Sequence, residues 1–173
     1  MLFCSAVIYP LKNPEMAIKA FHSSDISDLG YRLKMIGLCN EKYKHELYAL
    51  MHSLGIENFV DWVEYTDDVK PYFENATAFL MCSDFEGMGR VTAEAMFYGC
   101  PIIARATGGT MDLIKHGETG WLFETVEECA DLIKKVITDD NEAMVQRAHD
   151  FAKHELAEEV YGKKIMDVYN SIL

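Results

Sequence analysis

A loop with two glycines, residues 83–89, separates an apolar run from a run that suits a helix. Residues 76–81 are apolar enough to form a buried strand, and residues 91–98 continue from the loop as a helix. This order of strand, loop and helix brings together the unpaired N–H groups of the first helical turn, where the helix dipole adds partial positive charge. Because α/β proteins bind anions in this way, the loop predicts a parallel-sheet protein with a site for a phosphate-bearing ligand.

Apolar runs that suit strands alternate with helical patterns along the whole chain. The predicted strands are residues 2–9, 32–38, 58–63, 76–81, 101–104 and 120–123. Such alternation is typical of a parallel sheet with helices on both faces. We therefore predict an α/β fold with a doubly wound parallel sheet of about six strands, in one domain over residues 1–173. Ligands bind such sheets at the carboxyl ends of the strands.

The composition argues against several classes of function. The formal net charge is −12, which disfavours a nucleic-acid partner because proteins that bind nucleic acids present a basic surface. No apolar run approaches the roughly 20 residues that span a bilayer, and no signal peptide is recognisable at the start. The cysteines, an odd number of five without C-x-x-C spacing, predict buried reduced thiols. These features favour a cytoplasmic protein.

Glu86 and Glu94 flank the predicted phosphate position. If both lay on one helix, the separation of eight residues would span ~12 Å, which suits a sugar nucleotide. A carboxylate accepts two hydrogen bonds and so suits the vicinal hydroxyls of a ribose or a sugar. The alternative is that Glu86 only complements the helix dipole and that Glu94 is a solvated helix position. The spacing alone leaves both interpretations open.

Basic residues lie near the predicted carboxyl edge of the sheet. Lys12 follows the first strand, and it is either a point charge for a phosphate or a solvated turn residue. Arg90 and Arg105 are further cations near the same edge. Arg105 is the better candidate of the two because it ends the fifth predicted strand.

A second glycine turn, Gly108-Gly109, leads into a predicted short helix. It either offers further N–H groups to the same ligand or makes a tight connection from strand to helix. Neither glycine motif matches G-x-G-x-x-G or a P-loop, so the signatures of a dinucleotide redox enzyme and of a P-loop ATPase are missing.

Two aromatic residues and one histidine are also candidates for the site. Trp62 and Tyr65 follow the third predicted strand and pack either at the edge of the core or beside a nucleotide base. His116, which precedes Gly117, is interpreted as a turn residue.

Four ordered motifs carry a resemblance to a known family: residues 86–96 (EGMGRVTAEAM), 99–104 (GCPIIA), 108–109 (GG) and 117–122 (GETGWL). Together they resemble the C-terminal, donor-binding domain of the GT-B retaining glycosyltransferases, most closely the group-1 or family 4 type. The match covers nearly the whole chain and is most specific over residues 83–123. The resemblance implies a Rossmann-like domain that binds a nucleotide-diphosphate sugar. In the intact protein the sugar would pass, with retention, to a glycan or another acceptor.

The family's pair of glutamates falls on Glu86 and Glu94. The resemblance implies that Glu94 binds the ribose and that Glu86, the catalytic residue, faces the donor sugar. It also implies that the diphosphate lies against the N–H groups that follow Glu86. We expect no metal or other cofactor, because these N–H groups and Lys12 would stabilise the leaving group and no carboxylate cluster suggests a metal site. The donor-binding residues that we predict are Lys12, Gly87, Met88, Gly89, Arg90, Glu94, Arg105, Gly108 and Gly109.

Two positions depart from the family's pattern. The family commonly has an arginine five residues before its lysine, where this chain has Val7, and a glycine after the third strand, where this chain has Glu64. Both departures remove features that help to bind a diphosphate. Arg105 is our candidate for the missing cation.

A GT-B enzyme also needs an acceptor-binding domain, and nothing in residues 1–173 corresponds to one. We expect this chain to be the donor-binding half of a larger enzyme, with the acceptor-binding domain as its partner. Contact with the inner face of a membrane, where it exists, would then run through the missing half. The alternatives are a nucleotide-sugar-binding module without catalysis, a sugar-nucleotide epimerase, and a phosphorylase, although no distinctive pyridoxal lysine is present.

Overall fold

Six parallel strands form the sheet in the computed structural model, which describes residues 2–5 and 8–172. The strands are β1 Leu2–Ser5, β2 Leu33–Ile36, β3 Val60–Val63, β4 Ala78–Met81, β5 Ile102–Arg105 and β6 Trp121–Phe123. Their order in the sheet is β3-β2-β1-β4-β5-β6, and each neighbouring pair is parallel. The predicted α/β class and the predicted doubly wound sheet are thereby confirmed.

Helices occupy the stretches between and after the strands. They are α1 Pro14–Ser23, α2 Glu41–Ser53, α3 Lys70–Glu74, α4 Arg90–Phe97, α5 Thr110–Leu113, α6 Val126–Thr138, α7 Glu142–Phe151 and α8 Glu158–Ile172. A π-helical turn, Ala152–Leu156, joins the last two. In the described part of the chain, no helix combines the length and the apolar character needed to cross a membrane.

The sheet buries one hydrophobic core on each face, because successive strand side chains point to opposite sides. Leu80 packs on one face with Phe21 of α1 and Ile133 of α6. Phe79 packs on the other face with Phe73 of α3 and with side chains of α4 and α5. Apolar residues in the strands therefore need no polar alternation, which agrees with the continuous apolar runs in the sequence.

The strand order places a crevice between β1 and β4. After β1 the chain builds β2 and β3 on one side, and it then crosses to build β4, β5 and β6 on the other. Helix α1, which comes after β1, packs on one face of the sheet, and α4, which comes after β4, packs on the other, as at the ligand sites of other doubly wound sheets. Residues 9–13 and residues 82–89 consequently face each other at the carboxyl edge.

The structure describes the first predicted strand, residues 2–9, on both sides of residues 6 and 7. β1 covers Leu2–Ser5, and Ile8 forms an isolated parallel bridge to Cys39. Val7, the position where the family has an arginine, lies outside the described residues. The predicted start of α1 is confirmed, because Asn13 adopts a left-handed φ of 46° and its side chain accepts a hydrogen bond from the N–H of Met16.

The cysteines whose side chains are described are free thiols. Cys82, Cys100 and Cys129 are buried, while Cys39 is partly exposed. Burial raises the pKa of the Cys100 thiol to about 12, so this thiol is protonated and unreactive at neutral pH. These residues behave as core side chains, as the sequence predicts.

Candidate functional site

The carboxylate of Glu86 is held between two side chains at the carboxyl edge. Its Oε1 forms an ion pair with Lys12 Nζ and accepts a hydrogen bond of 2.7 Å from Ser83 Oγ. Ser83 is 1% exposed, and the Lys12 and Glu86 side chains are 19% and 11% exposed. Because both bonds go to Oε1, the second oxygen of Glu86 remains for a ligand within the described structure.

The ion pair bears on the interpretation of both residues. Lys12 ends a short 3-10 turn after β1 and is only 19% exposed, so it is not fully solvated. Glu86 lies four positions before Arg90, the first residue of α4, and binds a cation from another loop. Phosphate binding by Lys12 and the catalytic role of Glu86 stay predictions.

Gly89 begins helix α4 without a side-chain cap in the described structure. Its φ of 66° is left-handed, a conformation that glycine adopts without strain. By contrast, α1, α2 and α6 each begin with a side chain, from Asn13, Asn40 and Thr125, that accepts a hydrogen bond from the first turn. The first N–H groups of α4 are thus left for solvent or for a ligand.

Gly87 faces open space. No atom of the described chain lies within 4 Å of the position that a Cβ would take, and its φ is not left-handed. Neither crowding within the chain nor its backbone conformation therefore requires glycine here. Its neighbour Met88 is 55% exposed, so the space in front of this stretch is open.

The Gly108-Gly109 pair packs directly against the backbone of residues 86–87. The N–H of Gly109 donates a hydrogen bond of 2.7 Å to the carbonyl oxygen of Glu86. A Cβ at Gly108 would lie 2.2 Å from that same oxygen, and a Cβ at Gly109 would lie 2.0 Å from the carbonyl oxygen of Gly87. The Gly109 N–H is therefore engaged within the protein, and donor binding by this pair stays a prediction.

Arg105, our candidate for the missing cation, is paired within the protein. Its Nη1 forms an ion pair with Oδ1 of Asp84, and the two side chains are 29% and 48% exposed. A polar cavity of about 400 Å³ lies beside this pair, lined by Asp84, Arg105, Ala106, Thr107 and Glu124. The described contacts give Arg105 a structural partner, which the sequence did not predict.

Glu94 lies one turn after Arg90 on helix α4, and both residues are exposed. The surrounding protein raises the pKa of the Glu94 carboxyl by partial desolvation, while the charge of Arg90 acts in the opposite direction. Glu94 is thus accessible to a ligand and partly shielded from water. This is a suitable setting for a carboxylate that binds hydroxyl groups.

The structure shows which residues in and after the third strand pack at the edge of the core. Trp62 stacks on Tyr48 and donates a hydrogen bond of 3.2 Å to the carbonyl oxygen of Gly37, so it packs at the edge of the core. Tyr65 is 66% exposed and is not part of that packing. Glu64 forms an ion pair with Lys44 of α2, whose hydrogen bond and charge lower the pKa of the Glu64 carboxyl.

His116 is part of a turn, as predicted. It forms an isolated bridge to Gly120, and its Nδ1 accepts a hydrogen bond of 3.0 Å from the N–H of Leu122.

Large apolar side chains that are exposed between 38% and 66% lie at the carboxyl edge of the sheet. They are Tyr9, Leu11, Leu38, Tyr65, Phe85, Met88 and Met111. All follow the carboxyl ends of strands or begin the next helix. A cluster of this kind marks a surface that contacts a ligand or another protein. The exposure of these side chains was not predicted, because residue type alone does not determine it.

Comparisons with known proteins agree with this geometry. Residues 1–154 match the family described as glycosyl transferases group 1. A curated relative from Campylobacter jejuni, an undecaprenol-linked glycan alpha-1,4-N-acetyl-D-galactosaminyltransferase, is 32% identical over 170 residues, which cover 92% of this chain and 46% of the relative.

Two solved structures share the fold. The crystal structure of Anabaena HepE in complex with UDP superimposes with a TM-score of 0.92 at 24% identity, over 98% of this chain and 48% of that one. The C-terminal domain of the Francisella tularensis group 1 glycosyl transferase LpcC gives a TM-score of 0.80 at 20% identity, over 90% of this chain and 85% of that one.

The chain thus spans about half the length of the Campylobacter and Anabaena proteins, at 46% and 48%. The family match extends over most of the 173 residues and includes each predicted site residue. The chain belongs to the group 1 glycosyl transferases.

Proposed function

We propose that this chain is the donor-binding domain of a retaining glycosyltransferase and that it holds a nucleotide-diphosphate sugar at residues 83–89. The observation that carries the proposal is Gly87, where the chain itself requires no glycine and the space in front of the backbone is open. Glycine at such a position allows a ligand to approach the backbone closely. The family match and the uncapped start of α4 support an anionic ligand at the same place.

In this proposal the diphosphate lies against the N–H groups of residues 87–90 and beside Lys12. The helix dipole and the lysine charge would stabilise the negative charge that develops when the nucleoside diphosphate leaves. The electrostatic stabilisation comes from groups already fixed in place. Neither Lys12 nor these N–H groups needs a metal ion to act, and the proposed reaction uses none.

The two glutamates would bind opposite ends of the donor. Glu94, accessible and partly desolvated, would accept hydrogen bonds from the ribose hydroxyls. Glu86 would direct its second carboxylate oxygen to a hydroxyl of the donor sugar, because its first oxygen is held by Lys12 and Ser83. A fixed carboxylate orients the sugar with little loss of side-chain entropy on binding.

A second domain would supply the acceptor. The exposed apolar side chains around the site are suitable for covering by another protein surface. The name of the Campylobacter relative points to an N-acetylhexosamine as the transferred sugar, and the UDP bound to the Anabaena structure points to a uridine nucleotide. UDP-N-acetylhexosamines are therefore the first donors to test. Localisation in the cytoplasm stays a prediction.

Calorimetric titration of the chain with UDP- and GDP-sugars tests the donor site. We expect one donor to bind with 1:1 stoichiometry and Glu94→Ala to abolish the heat while the variant keeps its melting temperature. Binding that survives in Glu94→Ala, or no binding of any nucleotide sugar by the wild type, would contradict the proposed site.

The retaining mechanism requires the full-length protein. NMR of the first-formed product should show the anomeric configuration of the donor, whereas an inverted product would contradict retention. Release of an epimerised nucleotide sugar without transfer would instead identify an epimerase. Donor binding without any turnover would identify a binding module.

A further inference from the structure

Asp84, which follows β4, contacts the segments that follow two other strands, β1 and β5. Its carboxylate Oδ1 accepts a hydrogen bond of 2.9 Å from Asn13 Nδ2, after β1, and forms an ion pair with Arg105, at the end of β5. Its N–H donates to the carbonyl oxygen of Leu11 at 2.8 Å. Its own carbonyl oxygen accepts a hydrogen bond of 2.8 Å from Thr107 Oγ1. One residue after β4 thus joins the loops on both of its sides.

The contacts with the loop after β1 restrict the position of Lys12, because they hold the residues on both sides of it. Leu11 and Asn13 flank the lysine in the sequence, and each is bonded to Asp84. Asn13 also accepts a hydrogen bond through Oδ1 from the N–H of Met16, so the same side chain is tied to the start of α1. With both neighbours held, Lys12 has few ways to leave the position in which it meets Glu86.

The contacts with the loop after β5 restrict the Gly108-Gly109 turn. Thr107, bonded to Asp84, directly precedes Gly108-Gly109. The N–H of Gly109 then bonds the carbonyl oxygen of Glu86. The loop after β5 is therefore anchored to the loop after β4 at two points, one on each side of Phe85.

The pair between Asp84 and Arg105 leaves two interpretations of Arg105. In one, the guanidinium pairs with Asp84 only until a donor binds and then becomes a phosphate ligand. In the other, it is the partner that orients Asp84. The second requires no rearrangement when a donor arrives, and it agrees with the contacts that Asp84 makes to Asn13, Leu11 and Thr107 besides this pair.

We propose that Asp84 is a positioning residue that holds the loops after β1, β4 and β5 in the donor-binding geometry before the donor arrives. The proposal rests on the proposed function of residues 83–89. It does not require the ion pair to be strong, since exposed pairs contribute little to folding stability. The effect comes from ordering the loops in advance, which removes an entropy cost from the binding step.

The test compares Asp84→Ala, Arg105→Ala and the double variant by calorimetry with UDP or GDP, whichever the wild type binds. Each single variant should weaken binding of the nucleoside diphosphate about three- to tenfold. The double variant should bind it as tightly as the weaker-binding single variant, because all three variants disrupt the same set of contacts. Asp84→Asn, which keeps a side-chain oxygen that can accept the hydrogen bond from Asn13, should lose less than Asp84→Ala. Asp61→Ala is the matched control. It breaks the pair between Arg32 and Asp61 of β3, the outermost strand beside β2, and should bind the nucleotide normally.

Amide hydrogen exchange tests the positioning role without any ligand. In Asp84→Ala, the amides of residues 9–13 and 107–110 should exchange faster than in the wild type, while those of the sheet do not change. Saturation with the nucleotide should slow them again. A purely structural loss of stability would instead speed exchange across the whole domain.

Three outcomes would overturn the proposal. Tighter or unchanged binding by Asp84→Ala, with weaker binding by Arg105→Ala, would identify Arg105 as a direct phosphate ligand. Additive losses in the double variant would show that the two residues act separately. Unchanged exchange in residues 9–13 and 107–110 would show that Asp84 does not hold the loops. If the wild type bound no nucleotide, the proposed function would fail, and the exchange measurement would still decide whether Asp84 orders these loops.

Discussion

The N–H of Gly109 donates a hydrogen bond of 2.7 Å to the carbonyl oxygen of Glu86, so the loop after β5 fixes the backbone of the predicted catalytic residue. The two loops approach so closely that a methyl group at Gly108 or Gly109 would overlap backbone oxygens of residues 86–87. The position of Glu86 therefore depends on its own loop, on Lys12 and on a second loop that follows β5.

Gly108→Ala and Gly109→Ala should destabilise the domain. The added Cβ would lie 2.2 Å or 2.0 Å from a carbonyl oxygen, so the two loops must separate, at a cost of about 2–3 kcal/mol. Urea unfolding measures the loss. Gly162→Ala is the control, because it lies in α8 with open space at the Cβ position and should be stabilising by about 0.5–1 kcal/mol. Equal stabilities for the three variants would show that the loops are not in close contact.

Lys12→Ala should weaken binding of a nucleoside diphosphate about tenfold and leave binding of the free nucleoside unchanged, because it removes one charge beside the phosphates. Titrations at low and high salt should show a smaller salt dependence in the variant. Lys34→Ala is the matched control, since Lys34 is 22% exposed and faces Asp61, away from residues 83–89. A similar loss in both lysine variants would mean that only the overall charge matters.

Glu94→Gln should abolish donor binding and slightly stabilise the fold at neutral pH. Desolvation raises the folded-state pKa of Glu94 above its ordinary value of 4.5, so the carboxylate form opposes folding. This penalty is absent below the unfolded-state pKa, grows as the pH rises through the folded-state pKa, and is complete above it. After allowance for solvent screening, removing it gains at most about 0.5 kcal/mol.

Unfolding of both proteins at about pH 3 and about pH 7 measures this difference. The two should be equally stable at the lower pH, with Glu94→Gln the more stable at the higher. A variant that is destabilised at neutral pH would show that the Glu94 carboxylate makes favourable contacts within the domain.

The helices and strands were largely predictable from the sequence, because they depend on local periodicity. Tyr43, Leu47 and Met51 of α2, for example, are spaced for one helical face, and all three are buried. The carboxyl-edge position of the glycine loops also followed from the alternation of strands and helices.

The contacts within the site were less predictable. Gly87 and Gly109 both lie in loops that run from a strand to a helix, yet only the structure shows that one faces open space and the other a carbonyl oxygen. Asp84 and Arg105 are 21 residues apart and meet only because β4 and β5 pair in the sheet. No local pattern indicates such a pair, so the sequence alone did not reveal the partner of Arg105.

The binding affinity of Gly87→Ala for UDP and GDP tests the central claim most directly. The Cβ would enter open space, so the variant should keep the melting temperature of the wild type. It should nevertheless lose at least about tenfold in affinity, because the methyl group would occupy the space where the diphosphate approaches the backbone. A variant that folds normally and binds the nucleotide as tightly as the wild type would contradict the assignment of residues 83–89 as the donor site.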